Sequence, residues 1–201
     1  MHACGHDGHS AMLLGAARYL AERGGFRGTV HFIFQPAEEN LAGGKRMVDQ
    51  GLFDRFPMQA VFGLHNWPGL AAGTMGVRAG PVMAAADFFE VRVRGVGGHA
   101  AYPHRAKDPI VAAAQMVTAL QALVSRGTDP LESAVLSVTR IHGGSTDNVI
   151  PAEVVLGGTV RSFRADVQSL IEEGLRRIAA GTAAAHGVAV EVDYERRYRA
   201  T

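Results

Sequence analysis

The sequence predicts an α/β fold in the first part of the chain and an α+β fold in the second, and three features of its 201 residues indicate this. Near the start, short apolar runs alternate with helical patterns, as in a layered α/β sheet. Later, strand-like stretches alternate apolar and charged residues, which is typical of a sheet with one exposed face. The segment "GVRAGPV", rich in glycine and proline, separates the two patterns. We therefore divide the chain near residue 80.

The first part contains one clear helical pattern and two apolar runs. Apolar residues recur at helical spacing from Met12 to Leu20, Ser10 is a candidate N-cap, and Gly24 ends the pattern. The runs contain β-branched or aromatic residues and end at polar residues or proline, which favours buried strands. The predicted strands are 29–34 and 60–66, and a short helix is expected over 43–50.

The second part predicts six elements. In "DFFEVRVRG", Phe89, Val91 and Val93 alternate with charged residues, as in a half-exposed strand. "DPIVAAAQMVTALQALVSR" predicts an amphipathic helix with Asp108 as N-cap and Pro109 at its first position. The other predicted elements are strands 134–142 and 154–163, helix 166–186 and strand 188–194. The order β-α-β-β-α-β is that of the ferredoxin-like arrangement.

Composition narrows the functional classes. The 20 Lys and Arg are matched by 19 Asp and Glu without forming a basic block, so we expect no nucleic-acid partner. No apolar run approaches the ~20 residues that span a bilayer, and the N-terminus lacks the pattern of a signal peptide, so we expect no membrane partner and a cytoplasmic location. A single cysteine excludes an internal disulfide.

Three places in the first part carry residues of the metal-ligating type. Cys4 with His6 opens the chain, while Glu38 with Glu39 and then His65 follow the two predicted strands, where open α/β sheets collect ligands. Thiolate, imidazole and carboxylate together suit zinc, manganese, cobalt or nickel, and the number of donors allows two ions. One of the adjacent glutamates can bind metal while the other acts as a base. A cysteine–histidine nucleophilic site is the rival interpretation, but it leaves the carboxylates and His65 unexplained.

Five motifs together resemble the M20 metallopeptidase family, in particular the amidohydrolases that cleave N-acyl amino acids, such as hippurate hydrolase and the auxin-conjugate hydrolases. In order, they are "HACGHDGH", "FQPAEEN" followed by "GG", "GLHNWP", "GGHAAYPHRAKDP" and "GGSTDNVIPAEVVLGGTVRSF". They extend over nearly the whole chain, which makes the resemblance far more specific than any single motif.

The resemblance implies a metal site in the first part of the chain. Glu38 matches the residue that activates water and later protonates the leaving amine, and Asp7 matches a position that orients a neighbouring imidazole. The family's cofactor is a divalent metal, here expected as two ions of manganese, zinc, nickel or cobalt. The matching metal ligands are Cys4, His6, Glu39 and His65.

The resemblance also implies roles in the second part. His99 matches a histidine that stabilises the tetrahedral oxyanion from the partner subunit, and Asn148 and Arg161 match substrate-holding positions. The expected fold is a partial mixed-sheet metallopeptidase catalytic domain over residues 1–80 and a ferredoxin-like lid or dimerisation domain over 81–195, with 196–201 starting the return to the catalytic domain. A homodimer through the lid is expected.

The expected activity is metal-dependent hydrolysis of a small N-acyl amino acid, with a dipeptidase or an aminoacylase of the same family as related possibilities. Family members carry a strand before "HACGH" and a last metal-binding histidine after the lid, so we expect this chain to be an internal piece. The alternative is a non-catalytic fragment whose remaining property is self-association through the lid.

Overall fold

The computed structural model describes residues 4–41 and 43–201, and the chain divides into two compact units, Met1–Val77 and Arg78–Thr201. Residues 1–3, which open the first motif, lie outside the described residues. No helix in the described part of the chain combines the length and the apolar character needed to cross a bilayer.

The first unit is helical where it is regular. Helix α1 (His6–Arg23) follows Gly5, whose φ of 67° is left-handed, and ends at Gly24, whose N–H donates to the Leu20 carbonyl. Three short helices follow: α2 (Glu38–Leu41), α3 (Gly43–Asp49) and α4 (Leu52–Arg55). The predicted helix over 43–50 is therefore confirmed to within one residue.

The predicted N-cap at Ser10 is wrong, because α1 begins four residues earlier. Ser10 lies inside the helix, and its hydroxyl donates to the His6 carbonyl at 3.2 Å. Hydrophobic periodicity identified only the later turns, since the first turn consists of polar residues and glycine. The helix therefore includes the whole "HDGH" segment.

The two strands predicted over 29–34 and 60–66 are absent from the structure. A strand requires a hydrogen-bonded neighbour, and among the described residues of the first unit neither segment is paired into a sheet. The segment 60–66 is exposed throughout, with Phe62 at 92%, and the segment 29–34 is half-buried or exposed. The mixed sheet expected here is corrected accordingly: among the described residues, every strand pairing is antiparallel and lies in the second unit.

The second unit is built on a four-stranded sheet in which all neighbours are antiparallel. Its strands lie side by side in the order β3-β5-β1-β6, and a separate two-residue pair joins β2 and β4. The elements are β1 (Ala85–Arg94), β2 (Gly98–His99), a 3-10 turn (Pro103–Arg105), α5 (Pro109–Ser125), β3 (Ala134–Gly143), β4 (Val149–Ile150), β5 (Glu153–Ser162), α6 (Ala165–His186) and β6 (Ala189–Tyr198). The six predicted elements are all present in the predicted order.

One face of this sheet packs against α5 and α6. Burial alternates along β1, with Phe89, Val91 and Val93 inward, because successive strand residues point to opposite faces. The helices approach closely at Gly174, where an added Cβ would lie 2.3 Å from Leu123 Cδ2. Every buried hydrophobic residue in the described part of the chain lies between positions 85 and 183.

The start of α5 follows its prediction. The Asp108 side chain accepts a hydrogen bond from the Ile110 N–H at 2.8 Å, and Pro109 occupies the first turn. This cap satisfies one of the N–H groups that the helix start would otherwise leave unpaired.

Candidate metal centre

The cysteine and the first histidine of the candidate site lie at the N-terminus of α1. Cys4 is exposed and precedes the left-handed Gly5, and His6 is the first residue of the helix. Glycine adopts this conformation without the steric cost that a Cβ brings. Space adds a second restriction, because a Cβ on Gly5 would lie 2.6 Å from Asn66 Nδ2.

The paired glutamates lie in the first turn of α2 and flank the His6 ring. Oε2 of Glu38 is 3.7 Å from His6 Nε2, and Oε1 of Glu39 is 3.8 Å from His6 Nδ1. Both separations exceed a normal hydrogen bond. Ala37, immediately before the pair, has a φ of 48° and is the one non-glycine residue with positive φ in the described part of the chain. The glutamates thus follow a sharp, strained change of backbone direction.

His65 lies in the segment 60–66, which is not part of a sheet, and its ring contacts the backbone of the next residue, Asn66. Its Nδ1 lies 2.7 Å from the Asn66 carbonyl oxygen. A carbonyl can only accept, so Nδ1 carries the proton in this contact and Nε2 keeps its lone pair. This is the arrangement that fixes the tautomer of metal-binding histidines.

Two groups of three donors meet at His6. In one, the donor atoms of Cys4, His6 and Glu39 lie within 4.8 Å of one another; in the other, those of His6, His9 and His65 do. The first group combines a thiol, an imidazole and a carboxylate, which is a donor set suited to zinc, cobalt or nickel. The residues present therefore fit a divalent metal. The structure groups three of the four predicted ligands, Cys4, His6 and Glu39, and places the fourth, His65, in the second group with His6. Glu38 lies beside His6.

The Cys4 thiol has an altered acidity in this cluster. Its hydrogen bond to the Glu39 carboxylate, together with the charge on that carboxylate, raises the pKa of Cys4 above its ordinary value. The thiolate is the form that binds metal, so the thiol must lose its proton when an ion binds.

Sequence reasoning missed His9 and Asn66, which adjoin the cluster. His9 Nε2 lies 2.6 Å from Asn66 Oδ1 and 3.1 Å from the Asn66 backbone nitrogen. The His9 ring centroid is 4.4 Å from that of His65 and 5.2 Å from that of His6. The spacing of His6 and His9 on one helix face was a usable signal, whereas the contact with Asn66 joins residues 57 positions apart.

In the second unit, His99 and Asn148 lie together at the short β2–β4 pair. His99 pairs with Val149, and the Asn148 carbonyl accepts from the Ala100 N–H at 2.9 Å. The His99 Nδ1 accepts from the Ala101 N–H at 3.1 Å, which leaves Nε2 as its outward-facing nitrogen.

Arg161 lies apart from that pair, near the end of β5 in the main sheet. Its guanidinium carbon is 5.7 Å from the centroid of the Phe88 ring, which also contacts Arg197 at 4.2 Å. Among the described residues, Arg197 is paired with Glu195, whereas Arg161 makes no ion pair. Its guanidinium also donates to the Val160 carbonyl at 3.5 Å.

Comparison with known proteins shows similarity to one peptidase family along almost the whole chain. Residues 1–193 match the Peptidase family M20/M25/M40. An N-acyl-L-amino acid amidohydrolase of Geobacillus stearothermophilus is 46% identical over 201 residues, covering 99% of this chain and 54% of that protein. Hippurate hydrolase of Campylobacter jejuni is 42% identical over 193 residues, covering 96% of this chain and 50% of that protein.

Solved structures give the same result. The Bacillus subtilis YXEP protein, described as a dinuclear metal-binding peptidase of the M20 family, is 38% identical with a TM-score of 0.78. The match covers 100% of this chain and 50% of that one, and the chain spans about half the length of the curated relatives it matches. The family match over residues 1–193, together with the sequence and structural similarity of these relatives, shows that the chain belongs to the M20/M25/M40 peptidase family.

Proposed function

We propose that this chain supplies most of the metal site of a hydrolase that cleaves the amide bond of N-acyl amino acids. The observation that carries the proposal is the meeting of the Cys4, His6 and Glu39 donor atoms within 4.8 Å, with His65 reached through His6. Relatives named as an amidohydrolase and a hippurate hydrolase support this reaction class.

Cys4, His6, Glu39 and His65 would hold divalent metal, and the two donor groups sharing His6 support a site for two ions. Manganese, zinc, nickel and cobalt remain the candidates. When bound, divalent ions supply Lewis acidity, which polarises an amide carbonyl and acidifies water.

Glu38 is the proposed general base and acid. It lies 3.7 Å from His6, but neither three-donor group includes it. In the reaction, its carboxylate takes a proton from water as the water oxygen bonds to the carbonyl carbon. Glu38 then returns that proton to the amide nitrogen as the carbon–nitrogen bond breaks, which leaves a carboxylic acid and a free amine.

Residues of the second unit would bind the rest of the substrate. We propose that His99 reaches the active site of the partner subunit and donates there to the oxyanion through Nε2, which places an N–H dipole where negative charge develops. Arg161 would pair with the substrate α-carboxylate, since a guanidinium binds a carboxylate with two parallel hydrogen bonds. Its lack of an ion pair within the described residues supports this role, and Asn148 beside His99 would also contact substrate.

Residues 81–195 would form the lid, with a ferredoxin-like arrangement and a homodimer interface. The β-α-β-β-α-β element order and the antiparallel strand order β3-β5-β1-β6 support this fold. Each edge strand, β3 and β6, has one neighbour in the sheet and offers the other side to a partner.

The test uses a chimera in which this chain replaces the matching 192-residue segment of the Bacillus subtilis N-acetylcysteine deacetylase. We expect metal-dependent hydrolysis of hippurate or N-acetylcysteine, with metal content measured by mass spectrometry. Glu38→Gln should retain metal and lose about 10²–10⁴-fold in kcat, because the amide keeps the size of the side chain but cannot accept the proton.

The matched control is Glu22→Gln, which removes an exposed carboxylate on α1 outside the donor groups. Normal turnover of the Glu38→Gln chimera would contradict the assignment of the base. A chimera that neither binds metal nor turns over, while the lid unit still associates, would favour the non-catalytic alternative.

A further inference from the structure

Asn66 contacts three separate parts of the candidate metal centre. Its backbone carbonyl accepts from His65 Nδ1 at 2.7 Å, and its side-chain oxygen lies 2.6 Å from His9 Nε2. Its side-chain nitrogen lies close to Gly5, 2.6 Å from the position that an added Cβ would take. One residue thus joins the His65 segment to both the Cys4–Gly5–His6 turn and α1.

One of the two ring nitrogens of His9 is engaged by Asn66. Its Nε2 faces both the Oδ1 and the backbone nitrogen of Asn66. One ring nitrogen either donates to the oxygen or accepts from the N–H, and in both cases Asn66 occupies it. His9 therefore uses Nε2 in a protein contact, which leaves Nδ1 as the ring nitrogen with which it could join the group formed with His6 and His65.

We infer that His9 and Asn66 are positioning residues that hold the His65 imidazole and the Cys4–Gly5–His6 turn in one arrangement, so that the ligand atoms converge before an ion binds. The inference rests on the proposed function, because it assigns these residues to the same metal site. The contact is long-range, joining residues 57 positions apart, so it closes the loop that contains Glu38 and Glu39. Partners of this kind typically change metal affinity about 10–100-fold when they are removed.

The decisive comparison is between His9→Ala and His9→Gln. The glutamine carboxamide can donate to Asn66 Oδ1, but it is a poor ligand for zinc-type ions. Titration of the 201-residue chain with Co²⁺, followed by the thiolate–cobalt absorption, measures affinity. We expect His9→Ala to bind about 10–100-fold more weakly, and His9→Gln to bind close to the unsubstituted chain.

Asn66→Ala tests the other half of the contact. We expect it to weaken Co²⁺ binding no more than His9→Ala does, because the backbone N–H that faces His9 Nε2 remains. The double variant should lose little more than His9→Ala alone, because His9→Ala already removes every contact between the two side chains. The matched control is His31→Gln, which alters a histidine of the same unit that contacts Phe56 instead. It should leave affinity unchanged.

A metal-independent measurement separates this inference from the proposed function. Long-range ¹H–¹⁵N spectra of the histidine-labelled chain at pH 8, with His65 identified by its loss in His65→Gln, should show His65 as a single Nδ1–H tautomer. His9→Ala should convert it to a tautomer mixture, and His9→Gln should restore it.

The other possible results of the Co²⁺ titrations and of the histidine spectra contradict either the positioning role or the proposed function. Equal losses of Co²⁺ affinity in His9→Ala and His9→Gln would make His9 a ligand, and unchanged affinity in His9→Ala would remove its role. A tautomer mixture in the unsubstituted chain would overturn the positioning arrangement. Failure of the unsubstituted chain to bind Co²⁺, with a single His65 tautomer that depends on His9, would instead count against the proposed function.

Discussion

At Gly5, both the backbone conformation and the nearness of Asn66 favour a residue without a side chain. Its left-handed φ of 67° turns the chain between Cys4 and His6, and the Asn66 side chain comes within 2.6 Å of the position that an added Cβ would take. A left-handed conformation costs a non-glycine residue about 1–2 kcal/mol. The two restrictions act on the same position, so substitution here should disturb both the start of α1 and the ligand cluster.

We therefore expect Gly5→Ala to weaken Co²⁺ binding, whereas Gly8→Ala should not. Gly8 lies within α1, has no atom within 4 Å of an added Cβ, and should gain about 0.5–1 kcal/mol of helix stability as alanine. Co²⁺ titration and thermal unfolding of both variants provide the measurements. Equal affinity in the two variants would show that the Gly5 turn does not position the ligands.

Asp87 is a buried carboxylate of β1 that accepts two side-chain hydrogen bonds. It is 1% exposed, and its carboxylate oxygens accept from Gln168 Nε2 and from the Tyr194 hydroxyl, each at 2.7 Å. Burial, together with the hydrogen bond to Asp87, raises the pKa of Tyr194 well above its ordinary value. These contacts tie β1 to α6 and β6 inside the second unit.

Tyr194→Phe should destabilise the second unit by about 1.5–3 kcal/mol, the range for a hydrogen bond to a charged group, because it leaves one buried carboxylate oxygen without its donor. Urea unfolding followed by circular dichroism would measure the change. Tyr102→Phe is the control, since Tyr102 is half exposed and its ring contacts lie outside the core. A loss for Tyr194→Phe no larger than that of the control would contradict this account.

At the scale of elements, Glu172 links α6 to β6. Its carboxylate pairs with Arg196 of β6 at 2.8 Å and with Arg176 of α6 at 3.1 Å. Partial burial raises the pKa of Glu172, but the hydrogen bonds from Arg196 and Arg176 outweigh burial and leave it below the ordinary value. The charged carboxylate is therefore favoured more in the folded state than in the unfolded chain.

The resulting stability should be fully present above the ordinary glutamate pKa and lost as the pH falls through the lower pKa of the folded state. Glu172→Gln should consequently be less stable than the unsubstituted protein at pH 7, with the difference shrinking toward pH 3. Thermal unfolding across this range measures it. Glu173→Gln, an exposed neighbour in no ion pair among the described residues, is the matched control; a constant difference for Glu172→Gln would contradict the linkage.

At the scale of the whole molecule, the two units differ in how much apolar surface they bury. The buried hydrophobic residues of the described chain all belong to the second unit. The first unit instead exposes large apolar side chains, including Val61, Phe62, Leu64 and Trp67. Exposed apolar side chains promote association when they form a patch.

We expect residues 78–201 alone to unfold cooperatively, because a small domain with its own core behaves as a two-state unit. The 201-residue chain should bind the dye ANS more strongly than this shorter chain does, through the exposed apolar residues of the first unit. Circular dichroism melting and ANS fluorescence are the measurements. A non-cooperative melt of residues 78–201, or equal ANS binding by the two chains, would contradict the conclusion that the second unit contains the buried core and the first unit exposes its apolar residues.

The sequence by itself determined six elements of the second unit and four donor residues of the candidate centre. Alternation placed Phe89, Val91 and Val93 on one face, and Asp108 before Pro109 marked a helix start, because both signals are local. The family motifs named Cys4, His6, Glu39 and His65 for the same reason: each is a short pattern of residue types.

Only the tertiary structure decided the features that depend on distant partners. The apolar runs over 29–34 and 60–66 have strand composition, yet they lack hydrogen-bonded neighbours among the described residues. Likewise, no local pattern connects His9 with Asn66, or explains why Gly5 excludes a side chain. Strand pairing and contacts between distant residues depend on which segments folding brings together, so the tertiary structure determined them.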